Sequence, residues 1–393
     1  MFHHCLHAAR SSYTTRKSSL GRGLRKSDFF RKSIKMAELG LIVNHSYIEF
    51  ENDSYFYDYE YEWEEEPQSS ASPHALHLVS IVLYSVAFFL GVPGNALVIW
   101  FTGFKWEKTV STLWFLNLAI ADLIFVLFLP LHITYVALDF HWCFGQLLCK
   151  LNSFVALLNM FASVFFLTVI SLDRWIHLVH PTFSQKHRTL RNSLFLSGAV
   201  WMSSAVIAGP ALYFRDTVTR GNNAIVCYNN FHHDRDIIMR THTILSWMRL
   251  LCGYLFPLVT MILCYASMAI KVRKGSVVTP GKFFWTVFAV VIAFFICWTP
   301  YHIFSILELA LHHSDRFHHL VRIGMPLATS LAFINSCLNP ILYVLISKVF
   351  RVHFKASVAE LLKHTLREIS QSGTVSEQLR DSDLSANLCE TAH

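Results

Sequence analysis

Charge is what this chain has least of. Only 15% of its 393 residues are Asp, Glu, Lys or Arg, where a soluble domain of similar length carries about a quarter. The basic residues are dispersed between apolar runs instead of forming a block, which argues against nucleic acid as a partner. No apolar core accompanies the basic residues of the first 35 positions, so they do not make a secretory signal peptide. No internal repeat suggests a transporter built from paired halves. No nucleophile, base and orienting group stand together at a recognisable spacing, so nothing argues for an enzyme. The nine cysteines form no disulfide framework, because Cys252, Cys264, Cys297 and Cys337 lie inside apolar runs, where cysteine behaves as a small packed hydrophobe. The loop pairs His232-His233 and His312-His313 read as solvated residues, so no transition-metal site is expected.

What the chain has instead is apolar length. It is 53% hydrophobic with a mean hydropathy of +0.40. Seven runs stand near 76–101, 111–137, 147–179, 193–213, 243–270, 283–308 and 322–346. Each matches the ~20 helical residues needed to cross a ~30 Å hydrocarbon core. The stretch from Cys149 to Pro181 is the longest, and it ends with the charged pair Asp173-Arg174. The expected fold is an all-α membrane protein, a seven-transmembrane helix bundle over 76–347. A short amphipathic helix follows at 348–366, with basic residues between apolar ones, lying on the membrane surface.

Basic residues flank alternate loops: Lys105 and Lys108, then Lys186, Arg188 and Arg191, then Lys271 to Lys282, then Lys348, Arg351 and Lys355. That side is expected to be cytoplasmic. The amino terminus is then extracellular and the carboxyl terminus cytoplasmic, as for a multi-pass plasma-membrane protein. Residues 1–35 are basic and serine-rich, which dissents from this orientation and resembles a transit peptide in composition. The expectation is that they are an upstream extension and that Met36 is the usual start. Residues 36–75 hold no Lys or Arg but many Asp, Glu and Tyr, with sequons at Asn44 and Asn52. This segment reads either as a solubilising tail or as a glycosylated, tyrosine-sulfated arm that draws in a basic partner. The tail 367–393 is polar, with Ser370, Ser372, Thr374 and Ser376 as candidate phosphorylation sites.

A few polar groups interrupt the apolar runs, and such groups are costly enough to be functional. Asp122 sits midway along the second run, with Asn95, Asn159, Ser163, Asn335, Ser336 and Asn339 as companions of similar depth. Hard oxygen donors around one carboxylate suit a small cation or a proton, or else a neutral carboxyl that only packs. Arg249 lies about two turns into the fifth run. It either snorkels outward or faces the cavity to meet an anionic ligand group such as a terminal carboxylate, with Glu308 as a possible internal partner. Pro130, Pro257, Pro300 and Pro340 can kink their helices. Cys149 and Cys227 both fall on the outer face, where their bond would pin loop 214–242 to the third run, and Cys143 is a rival for the same partner.

The ordered set is Gly94-Asn95, Leu116 to Asp122, Asp173-Arg174-Trp175, Trp201, Pro257 with Tyr265, Phe294 with Cys297-Trp298 and Pro300, and Asn335 with Asn339-Pro340 and Tyr343. It resembles the rhodopsin-like receptors that act through G proteins, over the whole of 76–366. That resemblance implies a sodium site at Asp122, Asn159, Ser163, Asn335 and Asn339, with sodium as an allosteric ligand and no other cofactor. It implies an activation set of Asp173, Arg174, Tyr265, Phe294, Trp298, Pro300, Pro340 and Tyr343. Trp175 departs from the usual Tyr. Ala156 stands where amine receptors carry an Asp, and Phe333 where visual pigments carry a Lys, so it is neither. Segments 101–106, 211–216, 227–231 and 373–380 resemble the chemoattractant branch, and within it the chemerin receptors. The partners this implies are a secreted protein ligand, chemerin, whose carboxyl-terminal peptide enters the bundle, together with arrestin and an inhibitory-type G protein. Candidate ligand contacts are Arg249, His132, Glu308, Trp298 and Tyr301. A decoy receptor that binds and internalises ligand with little G-protein output is the alternative.

Overall fold

The computed structural model describes residues 73–220, 223–232, 234–275, 282–311 and 318–346, and single positions beyond. Among these, seven helices are long and apolar enough to cross a membrane. The first span is Pro73–Trp100, continued by a π turn, Phe101–Lys105. The second is Val110–Ala137 and the third Gly145–Val179. A short helix, Pro181–His187, leads to the fourth span, Leu190–Ala208 with Pro210–Phe214. The fifth joins Arg235–Leu250, a π turn Leu251–Leu255, and Phe256–Arg273. The sixth is Lys282–Leu311 and the seventh His318–Ile346. Of the amphipathic helix expected at 348–366 only Val352 and Lys363 are described, both helical, and the sequons and the tail serines lie outside the described residues.

A helix satisfies its own backbone donors and acceptors, which is the condition for crossing hydrocarbon. Phe195, Val206 and Phe89 are more than two-thirds exposed on the bundle's outside. Such surface is a liability in water and ordinary against lipid. Inside, Leu118, Val126, Leu129, Phe161, Phe166 and Phe294 are fully buried. The first and seventh spans approach closely because Gly94 has no side chain: a Cβ there would stand 2.8 Å from the Pro340 ring. The Asn95 amide uses that proximity to donate to the Ser336 carbonyl at 2.8 Å.

One boundary moves substantially. The fifth span begins at Arg235 and not near 243, because Arg235, Asp236 and Arg240 mask a helical start that Asp234 caps through the Asp236 amide. Arg249 therefore stands roughly four turns along this helix, not two. The π turn that follows carries one residue more than an α turn and changes which face continues into Phe256–Arg273. Pro93 and Pro326 also lie inside helices, beyond the prolines expected to kink.

One end of the bundle is roofed by an antiparallel hairpin, β1 Arg215–Thr219 and β2 Ile225–Asn229, with Thr217 opposite Cys227. Cys227 is bonded to Cys149 at the start of the third span. Cys143 is disulfide-bonded as well, so it does not compete for Cys227. The Trp142 amide donates to the Ile225 carbonyl at 2.7 Å and Gln146 donates to the Asp216 carboxylate at 2.7 Å. Burial pushes the Asp216 carboxyl up, but hydrogen bonds from the Thr217 amide, Gln146 and Asn230 hold it below the ordinary carboxylate value. Replacing Cys149 and Cys227 together by alanine is expected to lower stability by about 2–4 kcal/mol. Thermal unfolding of the solubilised chain measures it, and an unchanged midpoint would mean that the hydrogen bonds alone hold the roof.

Candidate functional site

Three polar constellations punctuate the bundle, one at each end and one in the middle. The middle one is built on Asp122, which has no exposed surface. Its Oδ1 accepts from the Asn159 amide at 3.0 Å and its Oδ2 from the Asn339 amide at 2.7 Å. Asn159 also donates to Ser163 at 3.4 Å, and its Oδ1 accepts from the Ser336 hydroxyl at 3.2 Å. The second, third and seventh spans thus meet on one carboxylate. Asn335 is buried but makes no hydrogen bond to this set, and its Oδ1 has no partner, as is also true of the Asn339 Oδ1. Ser336 takes the place expected for Asn335, because a shift of one residue turns a side chain about 100° around its helix. Oxygens of Asp122, Asn159, Ser163, Ser336 and Asn339 supply the hard donors that a small cation needs. Leucine at 122 would orphan two buried amides, at about 1–3 kcal/mol each. The expected result is a lowered unfolding midpoint for Asp122→Leu and a smaller loss for Asp122→Asn, read by thermal shift.

At the hairpin end the fifth and sixth spans bring together Arg249, Tyr301, Trp298 and His302. Arg249 is half-buried and turned inward: its Nη1 donates to the Tyr301 hydroxyl at 3.2 Å and its Nη2 to Ser246 at 3.1 Å. It does not snorkel. Among the described residues no carboxylate is within ion-pair distance of it. Glu308 is therefore not its partner. Glu308 lies two turns beyond Tyr301, ~10 Å further along the sixth span. Trp298 and Tyr301 pack edge to face at 5.7 Å, and the buried indole N–H of Trp298 has no partner. The Tyr254 hydroxyl pairs with Thr299 at 2.6 Å, and its ring lies 4.8 Å from that of His302, whose Nε2 is likewise buried without a partner. The charge of Arg249 falls on His302 and on His242. His132 sits elsewhere in the bundle. It pairs with Asn152 at 3.1 Å and packs against Phe333 and Tyr84 at 5.1 and 6.1 Å, under the charge of Arg215. Two imidazoles, His302 and His242, thus lie under the charge of an arginine that has no carboxylate within ion-pair distance among the described residues.

At the far end Asp173 is bonded to two arginines. Arg174 donates from Nη2 to Oδ2 at 2.7 Å, and Arg188 donates from Nε to Oδ1 at 2.8 Å. Ser111, at the foot of the second span, accepts from both, at 2.6 and 2.9 Å. Trp175 donates to the Ser267 hydroxyl of the fifth span at 3.0 Å. Tyr265 packs against Phe284 and Phe288, Tyr343 against Phe115, and Phe294 lies 5.9 Å from Trp298. Pro300 and Pro340 stand within their helices beside Trp298 and Asn339. Asn44, Asn52, Ser370, Ser372, Thr374 and Ser376 lie outside the described residues.

The sequence model of the family described as "7 transmembrane receptor (rhodopsin family)" matches residues 94–343. The protein named "Chemerin-like receptor 2" of Homo sapiens is 60% identical over 347 residues, 88% of this chain and 97% of that one. Its namesake in Mus musculus is 58% identical over 327 residues, 83% and 92% of the two chains. "Chemerin-like receptor 1" of Homo sapiens is 40% identical over 301 residues, 73% and 80% of the two chains.

Proposed function

Because this chain belongs to the rhodopsin family of seven-transmembrane receptors, we propose that it is a cell-surface receptor for the secreted protein chemerin. The observation that carries this reading is Arg249, an inward-facing guanidinium with no acid in reach among the described residues, in a chain so similar to the chemerin-like receptors. A free carboxyl terminus is the ligand group that completes it: planar, anionic and able to accept two hydrogen bonds at once. Trp298, Tyr301 and His302 offer a ring-lined floor beneath such a peptide end. In this reading the hairpin end faces outward, the side where disulfides persist, and the Asp173-Arg174 end faces the cytoplasm.

Ligand binding then shifts an equilibrium between two helix arrangements. Sodium at Asp122 favours the resting one, and the freed Arg174 meets an inhibitory-type G protein in the other. Phosphorylation of the tail at Ser370 to Ser376 recruits arrestin, and the acidic arm 36–75 attracts a basic ligand before docking. The decoy reading has one observation in its favour: Trp175, tied to Ser267, holds the third span to the fifth at the G-protein end.

Arg249→Ala is expected to weaken chemerin potency about 10–100-fold, the loss of a hydrogen bond to a charged group, with surface expression unchanged. Arrestin recruitment and cyclic AMP read side by side measure it, and unchanged potency removes Arg249 from the ligand site. Raising sodium is expected to reduce chemerin affinity in the parent chain but not in Asp122→Asn. Equal sodium sensitivity in both would place the cation elsewhere.

A further inference from the structure

The Asp173 carboxylate is nearly out of solvent, its side chain 9% exposed, and it faces two guanidiniums. Their hold is unequal. Arg174 reaches one oxygen with one nitrogen. Arg188 reaches both, with Nε on Oδ1 at 2.8 Å and Nη2 on Oδ2 at 3.2 Å. That is the two-pronged geometry that gives an arginine–carboxylate pair its strength. Arg188 belongs to neither neighbouring span. It caps the short helix Pro181–His187, its amide closing onto the Ser184 carbonyl. Ser111 on the second span, His177 on the third and Tyr265 on the fifth stand at the same corner. Ser111 accepts from both arginines, and His177 pairs with Ser184 at 3.4 Å.

A buried carboxylate stripped of its only cation is strongly disfavoured. With Arg174 as sole partner, any arrangement that frees Arg174 would leave Asp173 in that condition. With Arg188 in place it does not. We propose that Arg188 is a positioning residue that keeps Asp173 neutralised when Arg174 leaves, and so sets how easily the bundle abandons its resting arrangement. This rests on the receptor reading above. It predicts the opposite of a simple restraint: removing Arg188 tightens the Asp173–Arg174 pair and damps output.

The test uses the full chain in membranes with an inhibitory-type G protein, recombinant chemerin as the probe, and nucleotide exchange as the readout. Arg188→Ala is expected to lower both basal and chemerin-stimulated exchange about fivefold, the lower range of couplings between sites, at equal surface expression. Arg188→Lys, which keeps the charge but not the fork, should fall between. In an Asp173→Asn background the same change should have no effect, because nothing remains to be shared. Exchange in Arg188→Ala at or above the parent level overturns the proposal, as does an equal fall in the Asp173→Asn background. A parent chain with no chemerin-stimulated exchange overturns the G-protein-signalling reading in favour of the decoy, and this inference with it. A responsive parent beside an unaffected Arg188→Ala overturns this inference alone.

Discussion

A carboxylate without solvent ties the middle of this bundle together. Asp122 cannot leave its amides without orphaning buried polar groups in a nonpolar interior, so the second, third and seventh spans are held in register around it. The network converges on one side chain of the third span, whereas Asn339 makes a single bond, to Asp122. Asn159 serves Asp122, Ser163 and Ser336 at once. Close approach at Gly94 and Gly91 lets the first span follow the seventh.

The two ends are built by different means. At the hairpin end the constraint is covalent and backbone-based: a disulfide, a pair of strands and the Trp142 amide fix the roof over the third span. At the far end it is ionic and side-chain-based, with Asp173, Ser111 and two arginines sharing donors and acceptors. A covalent roof changes little when neighbouring helices tilt, whereas an ionic cluster can trade partners. In the receptor reading proposed above, the asymmetry places the fixed end where the ligand arrives and the exchangeable end where the signal leaves.

Much of this was legible in the residues. Seven apolar runs mark seven spans because lipid enforces length and composition together. Asp122 and Arg249 stand out because a charge inside such a run has no ordinary explanation. The start of the fifth span was not legible. Its first turns interleave the charged Arg235, Asp236 and Arg240 with Ile237, Ile238 and Met239, and His242 and Ser246 are buried by neighbours that no local pattern reveals. Ser336 and Asn335 were both legible as companions of Asp122, but only the rotation of the helix decides which of two adjacent polar residues joins the network. Arg188 looked like one more loop cation. Its bond to Asp173 depends on a turn of the chain after the third span that charge patterning does not record.

The π turn at Leu251–Leu255 carries a consequence for how this chain is compared with others. The added residue rotates everything beyond it by close to 100° relative to an uninterrupted helix. Gly253 is thereby set against Phe161, while Phe256 is left bare on the outside. In a homologue lacking that insertion, gap-free superposition of the two sequences would pair outward positions with inward ones along half of the fifth span. Matching letters there would disguise mismatched surroundings.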